Sequence, residues 1–257
     1  MPDESLIGRV RGYNGRMEQR TFLVFLGGSN PDLVSPRARG EVRSLEEDVV
    51  VIAADGGFHR AAALGVRVDH LIGDLDSIDP EGLREAEADA TVIRRYPTDK
   101  DATDAELAVR LAIELRGGSP GRMLVIGGAE GRLDHLLADV MLLASARTSG
   151  FTVTAHLGEA IVTVIGGGTE MDLMGSSGEQ VSLLALTSTA RGITTDGLRW
   201  PLTDAVLTAG STRGVSNELS GQRARVQVAE GTLIAIQQGI AGSVVGDRTE
   251  PYDDSPR

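Results

Sequence analysis

Five short apolar runs, at residues 21–26, 49–54, 70–72, 91–93 and 123–126, punctuate the first half of the chain and constrain its fold more than any other feature. Most stop at Gly or Asp, as strands buried on both faces do. Between them lie helical patterns at about 58–64, 80–87, 103–116 and 134–149, the last two with apolar residues at helical spacing. Alternating strands and helices imply right-handed crossovers and a mainly parallel α/β sheet. After Gly150 the texture changes. Runs at 152–156, 160–165, 181–187, 192–198, 205–208, 225–228 and 233–237 are short, β-rich and separated by Gly, Ser or Thr. They predict a C-terminal β-sandwich domain with no helix of its own. The expected organisation is a tail at 1–20, an α/β domain at 21–152, a β-sandwich domain at 153–240 and an acidic tail at 241–257.

Composition narrows the chemistry. Lys and Arg total 25 against 37 Asp and Glu, a formal net charge of −12, which disfavours a nonspecific grip on nucleic acid or an anionic membrane. An anionic substrate is then expected to be reached through metal ions. With no cysteine there is no disulfide framework, thiol nucleophile or Cys-type zinc site. No apolar run approaches the roughly 20 residues that span a bilayer, and the first residues lack the apolar centre of a signal peptide. A cytoplasmic protein is expected.

In an open α/β sheet the ligand site lies beyond the carboxyl ends of the strands, and here those exits carry mostly Asp and Gly. Strand one leads into Gly27 and Gly28, and strand two into Asp55, Gly56 and Gly57. Such glycines either allow close approach to a phosphate or simply turn the chain. Strand three leads into Asp74 and Asp76, whose carboxylates share a side if the backbone stays extended. Their mutual repulsion is relieved by a divalent cation, and oxygen ligands favour Mg²⁺. Asp79, just before Pro80, is expected to cap a helix. Beyond strand four, Asp101 and Asp104 lie one helical turn apart beside Lys100, a cation for a phosphate oxygen. They read either as further ligands or as an N-cap and a first-turn acid. Strand five opens into a Gly-rich loop with Gly128, Arg132, Asp134 and His135, which presents amides and a guanidinium to an anion. Asp134 is either an N-cap or a substrate acceptor.

These residues resemble the thiamine pyrophosphokinase family. The resemblance spans about 21–238 and rests on Asp55-Gly56-Gly57, G-D-L-D-S at 73–77, D-K-D-A-T-D at 99–104, G-G-A-E-G-R-L-D-H at 127–135, G-L-R-W-P-L at 197–202 and S-T-R-G-V-S-N-E-L at 211–219. It implies transfer of the terminal diphosphate of ATP to the hydroxyethyl group of thiamine, with Mg²⁺ as cofactor. It also implies a homodimer whose active sites join one subunit's α/β domain to the other's sandwich. By the same resemblance Asp74, Asp76 and Asp104 hold Mg²⁺ with Asp101 as helper, and Asp55, Arg132 and Asp134 line the nucleotide and thiamine cleft. Trp200 matches the residue on which thiamine stacks, and Ser216 with Asn217 match the pair at its pocket. A Trp face attracts a cationic thiazolium, although a lone Trp in a sandwich also serves as core. Two positions depart from the pattern: Leu75 stands where the family often has an aromatic, and Asp139 where Asn is common. The alternatives are a pyrophosphokinase for another hydroxyalkyl heterocycle, such as a hydroxymethylpterin, and a non-catalytic thiamine or nucleotide sensor.

Overall fold

Strands built from β-branched and aromatic residues form the centre of the molecule. The computed structural model describes residues 19–28, 30, 34–45, 48–128 and 132–238. The tails expected at 1–20 and 241–257 lie outside the described residues, except for residues 19 and 20, as do loop residues 129–131. β1 (Arg20–Phe25), β2 (Val49–Ala54), β3 (His70–Gly73), β4 (Val92–Arg95), β5 (Gly121–Gly127) and β6 (Phe151–Leu157) pair in parallel in the order β6-β5-β1-β2-β3-β4. The order reverses between β1 and β5, so a crevice opens beyond their carboxyl ends.

Side chains alternate across this sheet. Phe22 and Val24 face α4 (Asp104–Arg116) and α5 (Leu133–Thr148), and Phe22 meets Phe151 edge to face at 5.4 Å. Leu23 and Phe25 face α1 (Pro36–Arg43), α2 (Gly57–Ala63) and α3 (Pro80–Ala88). The helix starts follow from local chemistry: Ser35, Asp79 and Thr103 each accept a hydrogen bond from an amide three residues on, as N-caps do. Asp79 thus caps α3 as expected. Asp101 does not cap α4, because Thr103 holds that position.

The sheet does not stop at the change of texture. β7 (Ala160–Gly166) pairs antiparallel with β6, and the ladder continues through β14 (Thr232–Gln237), β9 (Gln180–Ala185) and β12 (Asn217–Glu218) to ten strands. β8 (Thr169–Met174), β10 (Thr189–Asp196), β11 (Ala205–Thr208) and β13 (Arg223–Val228) form a second, antiparallel sheet in the order β11-β10-β13-β8. Leu173, Ile193, Leu207 and Val226 of that sheet pack against Ile165, Val181, Leu183 and Leu233 of the first, completing a sandwich.

α1 has no counterpart among the helices read from the sequence, because its residues, PRARGEVR, carry almost no apolar stripe. Long-range polar contacts hold it instead. Arg37 reaches the buried Glu179 at 2.5 Å and the Met174 carbonyl at 2.6 Å, while Glu41 accepts from Arg122 at 2.5 Å and meets His156 Nε2 at 2.7 Å.

Candidate active site

The strand exits of the α/β half converge on a cleft of about 1090 Å³ lined by Gly27, Gly28, Asp55, Gly56, Asp74, Asp76, Lys100, Asp101, Asp104, Gly128, Arg132 and Asp139. Asp55 follows β2 with a positive φ of 44°, and its amide bonds to the Ile72 carbonyl at the end of β3. Asp74 follows Gly73, and Asp104 is the first residue of α4. One carboxylate oxygen from each of Asp55, Asp74 and Asp104 lies within 4.8 Å of the other two. All three side chains are half-buried, and Asp55 Oδ1 is buried without a hydrogen-bond partner. Three hard oxygen donors at this spacing, one of them unsatisfied, fit a divalent cation of the Mg²⁺ type.

Lys100 Nζ stands 3.4 Å from Asp74 Oδ2 and 3.2 Å from Asp104 Oδ1. The contact to Asp104 is a close ion pair, so one ammonium bridges two of the three carboxylates. The carboxylates are driven apart in acidity. Burial above all pushes Asp104 above the usual carboxylate range, helped by the charges of Asp74 and Asp55 and opposed by Lys100. Burial also pushes Asp74 up, but the Asp76 amide, the Lys100 charge and the Thr98 hydroxyl together leave it below that range.

The chain between Asp74 and Asp76 is not extended. Leu75 takes a positive φ of 65°, so the alternation that would align the two carboxylates is broken. The Asp76 amide turns toward Asp74 Oδ1 at 3.4 Å, and the exposed Asp76 carboxylate accepts from the Ser77 hydroxyl at 3.2 Å. Asp76 and Asp101 therefore line the cleft without joining the group of three.

At the far wall Arg132 grips Asp134 through two bonds, of 3.2 and 2.5 Å. This pairing holds the exposed Asp134 down at about 2. Asp134 lies in the first turn of α5 rather than at its cap. Asp139, one turn beyond His135, is pushed up to about 6 by burial, with the charge of His135 opposing.

Sequence reasoning missed Arg60, His59 and Thr98. Arg60 is fully buried and donates to the Leu26 carbonyl at 3.2 Å, and a Cβ on Gly28 would lie 3.0 Å from its guanidinium. Its signal was a charge followed by three alanines in the GFHRAAA segment. His59 and Thr98 line the cleft.

In the sandwich half, Trp200 is 51% exposed and so is not a core residue. The buried Asn217 clamps its backbone: Asn217 Oδ1 accepts from the Trp200 amide at 3.1 Å, and Asn217 Nδ2 donates to the Trp200 carbonyl at 2.7 Å. Ser216, just before Asn217 in the chain, is exposed with a positive φ of 61°.

Fold and cleft together define a transferase built from a parallel α/β half, which carries the carboxylates and glycine turns, and a β-sandwich half, which displays a lone Trp. Residues 42–155 match the family model described as the thiamin pyrophosphokinase catalytic domain, and residues 170–233 the thiamin pyrophosphokinase vitamin B1 binding domain. The chain belongs to the thiamine pyrophosphokinase family. It is 28% identical to the thiamine pyrophosphokinase of Bacillus subtilis over 219 residues, 85% of this chain and 98% of that one. The crystal structure of thiamine pyrophosphokinase from Bacillus subtilis superposes with a TM-score of 0.72 at 25% identity, covering 86% of this chain and 99% of that one. The thiamin pyrophosphokinase of Candida albicans shares the fold, with a TM-score of 0.68 at 15% identity over 86% of this chain and 90% of that one.

Proposed function

We propose that the chain transfers the terminal diphosphate of ATP to the hydroxyethyl oxygen of thiamine, giving thiamine diphosphate and AMP. The observation that carries this reading is the convergence of Asp55, Asp74 and Asp104 beside Lys100 in one cleft. These three carboxylates would hold Mg²⁺, with Asp76 and Asp101 as further oxygen donors on the same wall. When bound, the cation neutralises phosphate charge and aligns the diphosphate for displacement.

Lys100 and Arg132 counter the charge that develops on the transferred oxygens. Gly28, Gly56 and Gly128 let the backbone approach the nucleotide phosphates closely. Asp134, paired with Arg132, lines the thiamine end of the cleft in this reading. A carboxylate near the hydroxyl, Asp101 or Asp134, orients it or takes up its proton. In this reading residues 21–152 serve ATP and Mg²⁺, while residues 153–240 serve thiamine through Trp200, Ser216 and Asn217.

The protein is proposed to act in the cytoplasm as a homodimer with shared sites. Among the described residues no helix is long and apolar enough to cross a membrane. Support for the dimer comes from α5, where Leu133, Leu137 and Met141, at 67%, 56% and 70% exposure, form an open apolar stripe at i, i+4 and i+8 next to Arg132 and Asp134. Neither a pterin substrate nor a sensor role draws support from the comparisons. Incubating the protein with Mg²⁺, ATP and either thiamine or 6-hydroxymethylpterin tests the reading. Thiamine diphosphate in the first mixture and no pterin diphosphate in the second is expected, and the reverse pattern overturns it.

A further inference from the structure

The ring of Trp200 has two faces, and one is taken. The Arg199 guanidinium carbon lies 4.7 Å from the ring centroid, a cation–π contact. Arg199 is held there from two sides: its Nη1 donates to Glu218 Oε2 at 2.9 Å, and its backbone amide donates to the Glu218 carbonyl at 2.9 Å. The neighbouring Leu198–Leu219 bridge and the Asn217 clamp fix the same two segments against each other. The chain therefore places its own cation on one face of a ring whose other face is proposed to receive a cationic heterocycle.

A thiazolium stacked on the open face would sit about 8 Å from the guanidinium, the sum of two ring-stacking distances, and at that range two bare cations repel. Glu218 makes the Arg199 side neutral as a pair. We propose that Arg199 and Glu218 are positioning and specificity-determining residues for the proposed thiamine site: Arg199 braces the Trp200 ring, and Glu218 cancels the charge that would otherwise oppose a cationic substrate on the opposite face. This inference rests on the thiamine reading above. It adds that the open face is selected by charge as well as by shape.

The pair is partly exposed, so the effect is moderate. Steady-state kinetics of the full chain with thiamine, and with its neutral isostere bearing carbon in place of the thiazolium nitrogen, measure it. Glu218→Gln leaves Arg199 uncompensated and is expected to raise KM for thiamine about three- to tenfold, with kcat and KM for ATP unchanged within about twofold. KM for the neutral isostere should stay within about twofold, which also controls for a misshapen pocket. The double variant Arg199→Gln/Glu218→Gln removes the stranded charge and should lower KM for thiamine below that of Glu218→Gln, short of the wild-type value because the brace on the ring is lost as well. An unchanged KM in Glu218→Gln, equal losses for thiamine and the isostere, or a double variant no better than the single one overturns the inference while the thiamine reading stands. Wild-type protein that makes no thiamine diphosphate overturns both.

Discussion

Gly73 stands where a β-carbon would lie 3.0 Å from Asp104 Oδ1 and 3.0 Å from the Asp55 β-carbon, at a φ of 149° that side chains rarely adopt. That missing methyl lets carboxylates from three separate segments converge at the end of β3. Gly73→Ala should therefore strain the backbone and spread the group, costing about 1–3 kcal/mol of stability and at least about tenfold in turnover. Asp74→Asn, which removes a proposed ligand but no volume, should cut turnover at least about a hundredfold with the fold intact. Thermal melting and kcat across a Mg²⁺ titration check both. Near-wild-type turnover of Asp74→Asn at saturating Mg²⁺ contradicts the assignment.

Asp139 gives a pH signature. Burial raises its folded pKa to about 6, above the ordinary Asp value of about 3.9. The stability that its neutral form supports is thus fully present below the unfolded value and is lost as pH rises through about 6. Asp139→Asn, neutral at every pH, should melt higher than wild type at pH 8 and show a smaller advantage at pH 4. An advantage of equal size at both pH values contradicts the burial account.

The proposed shared site predicts complementation. If Asp74 and Trp200 of one working centre come from different chains, Asp74→Asn and Trp200→Ala proteins should rescue each other when co-refolded in equal amounts. Random exchange gives about half heterodimers, each with one intact and one doubly damaged site, so activity should approach about a quarter of wild type. Verified heterodimers that recover nothing show that Trp200 serves its own chain's site or none.

The parallel half was readable in the sequence because its strands are buried on both faces and end at Gly or Asp, which marks strand and exit alike. α1 was not, because Arg37 and Glu41 anchor it through partners more than 80 residues away. The membership of Asp55 in the carboxylate group was equally hidden. It depends on positive φ angles at Asp55 and Gly73, and the same kind of backbone turn at Leu75 breaks the alternation expected for Asp74 and Asp76. Trp200 could be read as core or as ligand platform, and its exposure above the backbone clamp from Asn217 removes the core reading.

The most direct test follows oxygen. With ATP carrying ¹⁸O in the bridge between its α- and β-phosphorus atoms, attack by the thiamine hydroxyl on the β-phosphorus breaks the bond from that phosphorus to the bridging oxygen. ³¹P NMR and mass spectrometry should find the label in AMP, with both transferred phosphorus atoms in thiamine diphosphate. Label retained in ADP beside thiamine monophosphate would mean attack at the γ-phosphorus and contradict diphosphate transfer.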